Sequence, residues 1–426
     1  MDDPLAELDQ IDWAGLRHAY GSAGDIPGLL RALASDDPGL RAEALGELYT
    51  NIFHQGNRFQ ATPYAVPFLV RLAVRPAVPD RDLILYLLAA LALGYDEAHL
   101  PEGVGIAHWR AESAIVQSRS RPEAEDALDR WAADAVGDAE RWDRDHVRRT
   151  YDHDRERAAD DAQLASYDAV RAAVPRLLAL LADADPSVRT SAAYVVSWFP
   201  EEAATVAPAL AALVRADPDP VSVATALFGL SLLPHDGDLS PDGPSRDDSP
   251  SQDGLSHPGG LARHDEVVAA RLGDADELVR ACAALSLVNL RGEAAVPEAG
   301  DEVRRLLTVT GPTPLPYGDG DLATLATRVS RRRLPADAPA RASALIARLA
   351  GADGEHAFPI VGDLMDTVFD RPGAPAPHTL TALQRDALEA VAGLGDEAWS
   401  WLNLLEILRH WGVPDGREKL AAFLSR

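Results

Sequence analysis

What this chain has little of narrows its class before any motif is read. It carries one cysteine, Cys282, so no disulfide can form within it. It carries one lysine, Lys419, and its other strong cations are arginines. Acidic residues outnumber Lys and Arg by 67 to 40, a net charge of −27. That balance argues against broad binding to nucleic acid or to an anionic membrane. Apolar runs are short: Leu83–Leu93 is the most apolar, well below the ~18 residues a membrane helix needs. The first residues, MDDPLAELDQIDW, are acidic and lack the apolar stretch of a signal peptide. A cytoplasmic location is the expectation. Alternating β-branched runs are scarce, and no G-x-S-x-G, Walker A or dinucleotide fingerprint occurs. No catalytic residue, metal or cofactor is expected from these patterns.

Aromatics make up only 6% of a chain that is 47% hydrophobic. The core must therefore be built from Ala, Leu and Val, which suits closely packed helices. Val170–Phe199 is the clearest unit. Val174, Leu177, Leu178 and Leu181 recur at helical spacing. Asp183-Ala184-Asp185-Pro186 breaks the pattern, with Asp185 as N-cap and Pro186 as first helical residue. Val188, Ala192, Val195, Val196 and Phe199 then stripe a second helix, ended by Pro200. A lone helix pair cannot bury its own apolar faces, so it needs stacked neighbours.

Copies of this unit recur. D-x-x-[VL]-R-x-x-A-x-x-x-[LV] fits Asp37/Arg41, Asp185/Arg189 and Asp276/Arg280. A degenerate copy follows Asp217-Pro218, which lies 32 residues after Asp185-Pro186. LASDDPGLRAEALGEL, LADADPSVRTSAAYVVS and LGDADELVRACAALSLV resemble the repeats of bacterial HEAT-repeat proteins of the PBS-lyase HEAT-like class. The resemblance implies an all-α fold, an α-solenoid of HEAT-like antiparallel helix pairs. It also implies a structural ladder in which Asp37, Arg41, Asp185, Arg189, Asp276 and Arg280 link successive turns.

The chain divides by pattern into five parts. Residues 1–95 hold a helical N-terminal cap and repeats, with Asp25 as the N-cap of the first repeat helix. Residues 96–168 are an insertion: His108 and Trp109 in a loop, then one charged helix over about Pro122–Leu164. Residues 169–233 resume repeats, 234–262 form a Pro/Gly/Ser/Asp-rich linker or disordered loop, and 263–426 hold further repeats and a cap.

The most distinctive polar stretch is NIFHQGNRFQAT, Asn51–Thr62, which also matches the resembled bacterial proteins well. Asn51, His54, Gln55, Asn57 and Arg58 gather polar side chains in a short turn. One reading is a patch that binds a small ligand or peptide, with His108 and Trp109 as further candidates. The competing reading has His54 and Asn57 capping helices and satisfying loop backbone. Asp143, Asp145, His146, Asp152, His153 and Asp154 look like metal ligands, but interleaved arginines predict a solvated charged face with Asp145 paired to Arg148 or Arg149. Arg328 and Arg331–Arg333 form the best basic cluster, expected as a charged helix end. Cys282 reads as a small core residue.

Among enzymes on this scaffold, deoxyhypusine hydroxylases use His-Glu dyads, and this chain has no His-Glu dipeptide. The expectation is a non-catalytic scaffold or regulator, immunity-type in one version, that binds a protein or peptide along a concave face. Its acidity favours a basic partner. The alternative is an enzyme on the same scaffold, lyase-like or DNA-glycosylase-like.

Overall fold

A computed structural model describes residues 3–135, 138–234, 262–352, 354–369, 371, 373 and 375–426. The Pro/Gly/Ser/Asp-rich stretch at 234–262 lies almost wholly outside the described residues. The fold is all-α, an α-solenoid of antiparallel helix pairs, with two-residue strands as its only β-structure among the described residues. No helix among them is long and apolar enough to cross a membrane. The chain forms two compact units. The first comprises the described parts of Met1–His99, Gly103–Leu213 and Leu232–Gly260; the second comprises those of Leu100–Glu102, Val214–Ser231 and Leu261–Arg426.

The first unit opens not with a helix but with two 3₁₀ turns and a hairpin, β1 (Arg17–His18) and β2 (Gly21–Ser22). The pair α1 (Ile26–Ala32) and α2 (Pro38–Asn51) follows, then the hairpin β3 (Phe53–His54) and β4 (Asn57–Arg58). The next pair is α3 (Thr62–Ala73) and α4 (Arg81–Leu93); α4 is apolar on most sides, and Ile84, Leu85, Leu87, Leu88 and Leu91 are buried. The expected insertion is four helices rather than one: α5 (Ile106–Ser118), α6 (Arg121–Ala133), α7 (Asp138–Thr150) and α8 (His153–Arg171). His108 and Trp109 therefore stand on a helix, not in a loop. α8 packs against both α3 and α4 and buries Ala162, Ser166, Tyr167 and Val170, so it belongs to the stack. Then come α9 (Val174–Leu177), α10 (Pro186–Val196), which packs on α4, and α11 (Ala203–Ala216), which divides between the units at Leu213.

The opening helix of the Val170–Phe199 unit departs from its expected register. After α9 it continues as a 3₁₀ helix over Leu178–Ala182. Val174, Leu177 and Leu180 are buried, while Leu178 and Leu181 are only half-buried. A spacing of three follows from three residues per turn in a 3₁₀ helix.

The Asp-Pro turns share one set of bonds. Asp37, Asp185 and Asp276 cap α2, α10 and the helix beginning at Glu277 by accepting backbone N–H groups. Arg41 Nη1 donates to the carbonyls of Ser35 and Asp36, Arg189 Nη1 to those of Asp183 and Ala184, and Arg280 Nη1 to those of Asp274 and Ala275. Each arginine thus satisfies carbonyls that the turn leaves bare. The carboxylate that Arg41 meets is Asp80 in the next turn, at 2.6 Å, rather than Asp37. Arg81 grips Asp183 with two bonds of 2.7 and 3.0 Å. Asp183, Asp217 and Asp274 each accept the N–H of the aspartate two residues on. The degenerate copy accordingly starts two residues later than expected: Asp219 is its cap and Pro220 its first helical residue.

The second unit contains α12 (Pro220–Leu230), α13 (Ala262–Ala269), α14 (Glu277–Arg291), α15 (Pro297–Leu306), α16 (Leu322–Arg333), α17 (Ala338–Leu349) and α18 (Gly354–Val368), followed by α19 (Ala382–Ala392), α20 (Asp396–Ser400), α21 (Leu402–His410) and α22 (Arg417–Leu424). α14 packs on α12, α15 and α16 and buries Cys282, whose thiol pKa burial pushes up. α17, α18, α19 and α21 enclose a core around Leu345, Leu364, Met365, Leu388, Leu404 and Trp411. The Trp- and Leu-rich run Glu397–Trp411 is not one helix: it breaks into α20 and α21 at Trp401, whose ψ of 127° is extended. Asp363 on α18 is buried, 3.9 Å from Arg328. Burial raises its pKa from 3.8 to about 6, against the lowering influence of Arg328 and Arg331.

These buried charges have measurable consequences. Arg81→Met should cost about 3 kcal/mol, because it strands the largely buried Asp183; Arg81→Met with Asp183→Asn should cost less than the two singles combined, as a double-mutant cycle of thermal unfolding measures. Asp363 binds a proton near pH 6 when folded but only near 3.8 when unfolded. It therefore opposes folding at pH 7, and that penalty fades as pH falls between these values. Asp363→Asn should raise stability at pH 7 by about 2–3 kcal/mol and remove this part of the pH dependence.

Candidate functional site

The stretch Asn51–Thr62 folds as the β3–β4 hairpin. Its loop is Gln55-Gly56, with φ of 49° and 78°, and Phe53 pairs with Arg58 while His54 pairs with Asn57. Two consecutive left-handed residues make the tight turn that suits a twisted two-residue hairpin. Because side chains alternate along a strand, the pairs face opposite ways. Phe53 and Arg58 are buried; Asn57 is exposed and His54 half-exposed. Thr62, fully buried, closes the base: its hydroxyl donates to the Ile52 carbonyl at 2.7 Å and accepts the Phe59 N–H at 2.8 Å.

The β1–β2 hairpin lies alongside. Ala19 N–H donates to the Asn51 carbonyl, and Ala61 N–H to the Arg17 carbonyl. His18 Nδ1 accepts the Tyr20 N–H at 3.0 Å, so the ring carries its proton on Nε2 and donates it to Asp25, 3.1 Å away. The other Asp25 oxygen accepts from Asn51 Nδ2 at 2.8 Å. Asp25 was expected to cap α1, but its side chain makes no capping bond there. It ties the two hairpins through His18 and Asn51. Both nitrogens of His18 are engaged and the ring is buried, so its role here is positional.

This scaffold presents an aromatic and polar patch. Tyr20 is 66% exposed, and its ring meets His54 edge-on with centroids 5.4 Å apart. The Tyr20 hydroxyl lies 3.4 Å from His54 Nδ1. Tyr95, 54% exposed, lies against Gly56 on the other side, where an added Cβ would come within 3.0 Å of its ring. Phe53 meets Tyr95 edge-on at 5.6 Å from beneath. Asn57 Nδ2 donates to the Gln55 carbonyl at 3.3 Å, so it braces the turn rather than capping a helix.

Of the expected site residues, the structure brings together Asn51, His54, Gln55, Asn57, Arg58 and Trp109. The Arg58 guanidinium carbon sits 5.9 Å from the Trp109 ring centroid. Burial lowers the Arg58 pKa to about 10. His99 nearby donates from Nε2 to the Leu93 carbonyl at 3.2 Å; burial, then the Arg58 charge, lowers its pKa. His108 stands apart in solvent, with Glu112 at 3.9 Å. Tyr20, Asp25 and Tyr95 were not expected here; the one local signal was Gly56, whose turn fixes which side chains face out.

Elsewhere, Asp145 pairs with Arg148 at 3.4 Å and with Arg149 at 3.3 Å, as the helical spacing predicts. Asp152 caps α8, and His153 Nε2 donates to the Arg119 carbonyl. Among the described residues, no group of three His, Cys, Asp or Glu side chains is arranged to hold a metal. In the basic cluster, Arg331 meets Asp366, Arg332 meets Glu102 at 2.9 Å, and Arg333 meets Asn289 at 3.2 Å.

Asp25→Ala leaves His18 Nε2–H and Asn51 Nδ2 without their acceptor. It should cost about 1–3 kcal/mol in thermal unfolding. Amides at 17–22 should lose hydrogen-exchange protection before those of α4.

Comparison with protein-family models finds no match, and comparison with curated proteins likewise finds none.

Proposed function

We propose that this chain is a non-catalytic, HEAT-type scaffold or regulator that binds a segment of another protein through the hairpin patch of its first unit. The observation that carries this is the exposure of Tyr20 and Tyr95 on either side of His54, Gln55 and Asn57. Large aromatics with few rotatable bonds, set among adaptable amide and imidazole groups, are the side chains protein interfaces concentrate at their centres. The patch stands on two braced hairpins, so little ordering cost attends binding. The recurring Arg-to-carbonyl and Asp-cap bonds support the HEAT assignment. The net charge of −27 supports a basic protein partner over nucleic acid, and the pairing of Arg331 and Arg332 with acids removes much of the best basic cluster from that use. A cytoplasmic, bacterial setting fits the composition.

A displayed random-peptide library selected on the full chain tests this. Enriched peptides should bind Tyr20→Ala/Tyr95→Ala at least about tenfold more weakly, with the variant's circular dichroism unchanged. Equal binding by the variant, or no enrichment at all, would overturn the reading.

A further inference from the structure

Arg58 is 3% exposed, yet among the described residues no carboxylate lies within ion-pairing distance of it. Its Nη1 donates to the Gly56 carbonyl, while its Nε is buried and has no hydrogen-bond partner. Arg341 in the same chain shares the buried, unbonded Nε and differs in what its Nη1 meets. Arg341, equally buried, donates from Nη1 to the Ser330 carbonyl, the Ser330 hydroxyl and the Leu334 carbonyl. Those bonds serve the C-terminal end of α16 and account for its burial. Arg58 has a single acceptor, in its own turn. A buried cation left this way is costly, and an anion that reaches it removes the cost.

The surroundings define which anion. With Nη1 committed to Gly56, the unbonded edge of the guanidinium is the one formed by Nε–H and Nη2–H. These two parallel donors match the two oxygens of one carboxylate. The backbone is cut back around the group: a Cβ on Gly94, whose φ is +84°, would lie 2.6 Å from Arg58 Nη1. Trp109, only partly buried, covers the guanidinium, and Tyr95 and Gly56 link the spot to the outer patch.

We propose that the Nε–Nη2 edge of Arg58, closed off in this structure, becomes a carboxylate-binding site when Trp109 moves aside, and receives an acidic group of the segment bound at the hairpin patch. This rests on the reading of that patch as a docking surface. It adds a local requirement to the acidic field of the whole chain: a partner that is basic overall and offers one carboxylate here. The carboxylate can come from a chain terminus or from an Asp or Glu side chain.

The test uses the full chain and three small probes at constant ionic strength. N-acetylglycine presents a terminal carboxylate, N-acetylaspartic acid α-amide a side-chain carboxylate, and N-acetylglycinamide neither. Binding is followed by saturation-transfer NMR. At least one acid should bind saturably with a dissociation constant on the order of 1–10 mM, and the stronger one names the source. The neutral amide should not bind. Arg58→Met, which keeps the aliphatic stem and removes an unpaired buried charge, should fold and lose the binding. Arg58→Lys, which keeps charge but lacks the fork, should bind about tenfold more weakly. Failure of both acids to bind, or undiminished binding by either variant, would overturn the proposal. Should Arg58→Met lose the acids while no displayed peptide is ever enriched, the carboxylate site stands and the docking surface falls. Should enriched peptides need Tyr20 and Tyr95 but bind Arg58→Met undiminished, the docking surface stands and the carboxylate site falls.

Discussion

Stacked helix pairs place their turns side by side, and a turn is where backbone carbonyls lose their helical partners. In this chain the arginine four residues past the Asp cap answers that need at three turns, those of Asp37, Asp185 and Asp276. Its guanidinium folds back on two carbonyls of its own turn, in the same way at Arg41, Arg189 and Arg280. A lysine could not do this and also reach sideways, because its single ammonium lacks the planar fork. Arg41 does both, with Nε on Asp80 while Nη1 serves Ser35 and Asp36. The near-absence of lysine from the sequence fits a fold whose turns are held by forked donors.

The helix-pair architecture was legible because it rests on periodicity and on Asp-Pro punctuation, both local signals. Departures arose where tertiary packing chose among locally similar options. The Leu178–Ala182 stretch could continue as α-helix or tighten to 3₁₀, and its leucines fit both. Asp217-Pro218-Asp219-Pro220 offers two possible caps; Asp217 instead accepts the Asp219 N–H at 2.9 Å, and Asp219 is the cap. The break between α7 and α8 falls at Tyr151-Asp152, where Asp152 turns from a member of a charged run into an N-cap.

The candidate site was legible in one half only. NIFHQGNRFQAT stood out because its polar residues break the repeat, and Gly56 marks the turn. That His54 faces out while Arg58 faces in follows from strand alternation, but two-residue strands are too short to announce themselves. Tyr20, Asp25 and Tyr95 lie about 30 to 40 residues from the hairpin they flank, and no spacing rule links them to it. The same is true of Arg81 and Asp183, separated by the whole of α5–α8 yet joined by two hydrogen bonds.

That last pair has a bearing on the excursion between them. α6 buries none of its residues, and the chain that leaves at Arg119 comes back at His153, with the Arg119 carbonyl and His153 Nε2 only 3.0 Å apart. A second tie, Arg121 to Asp154 at 2.7 Å, closes the same neck. These two ties hold the start of α6 beside the start of α8, so the α6–α7 hairpin leaves and rejoins the stack at one neck. A change in the length of this arm would leave its two ends where they are, because the ties hold the neck and not the tip.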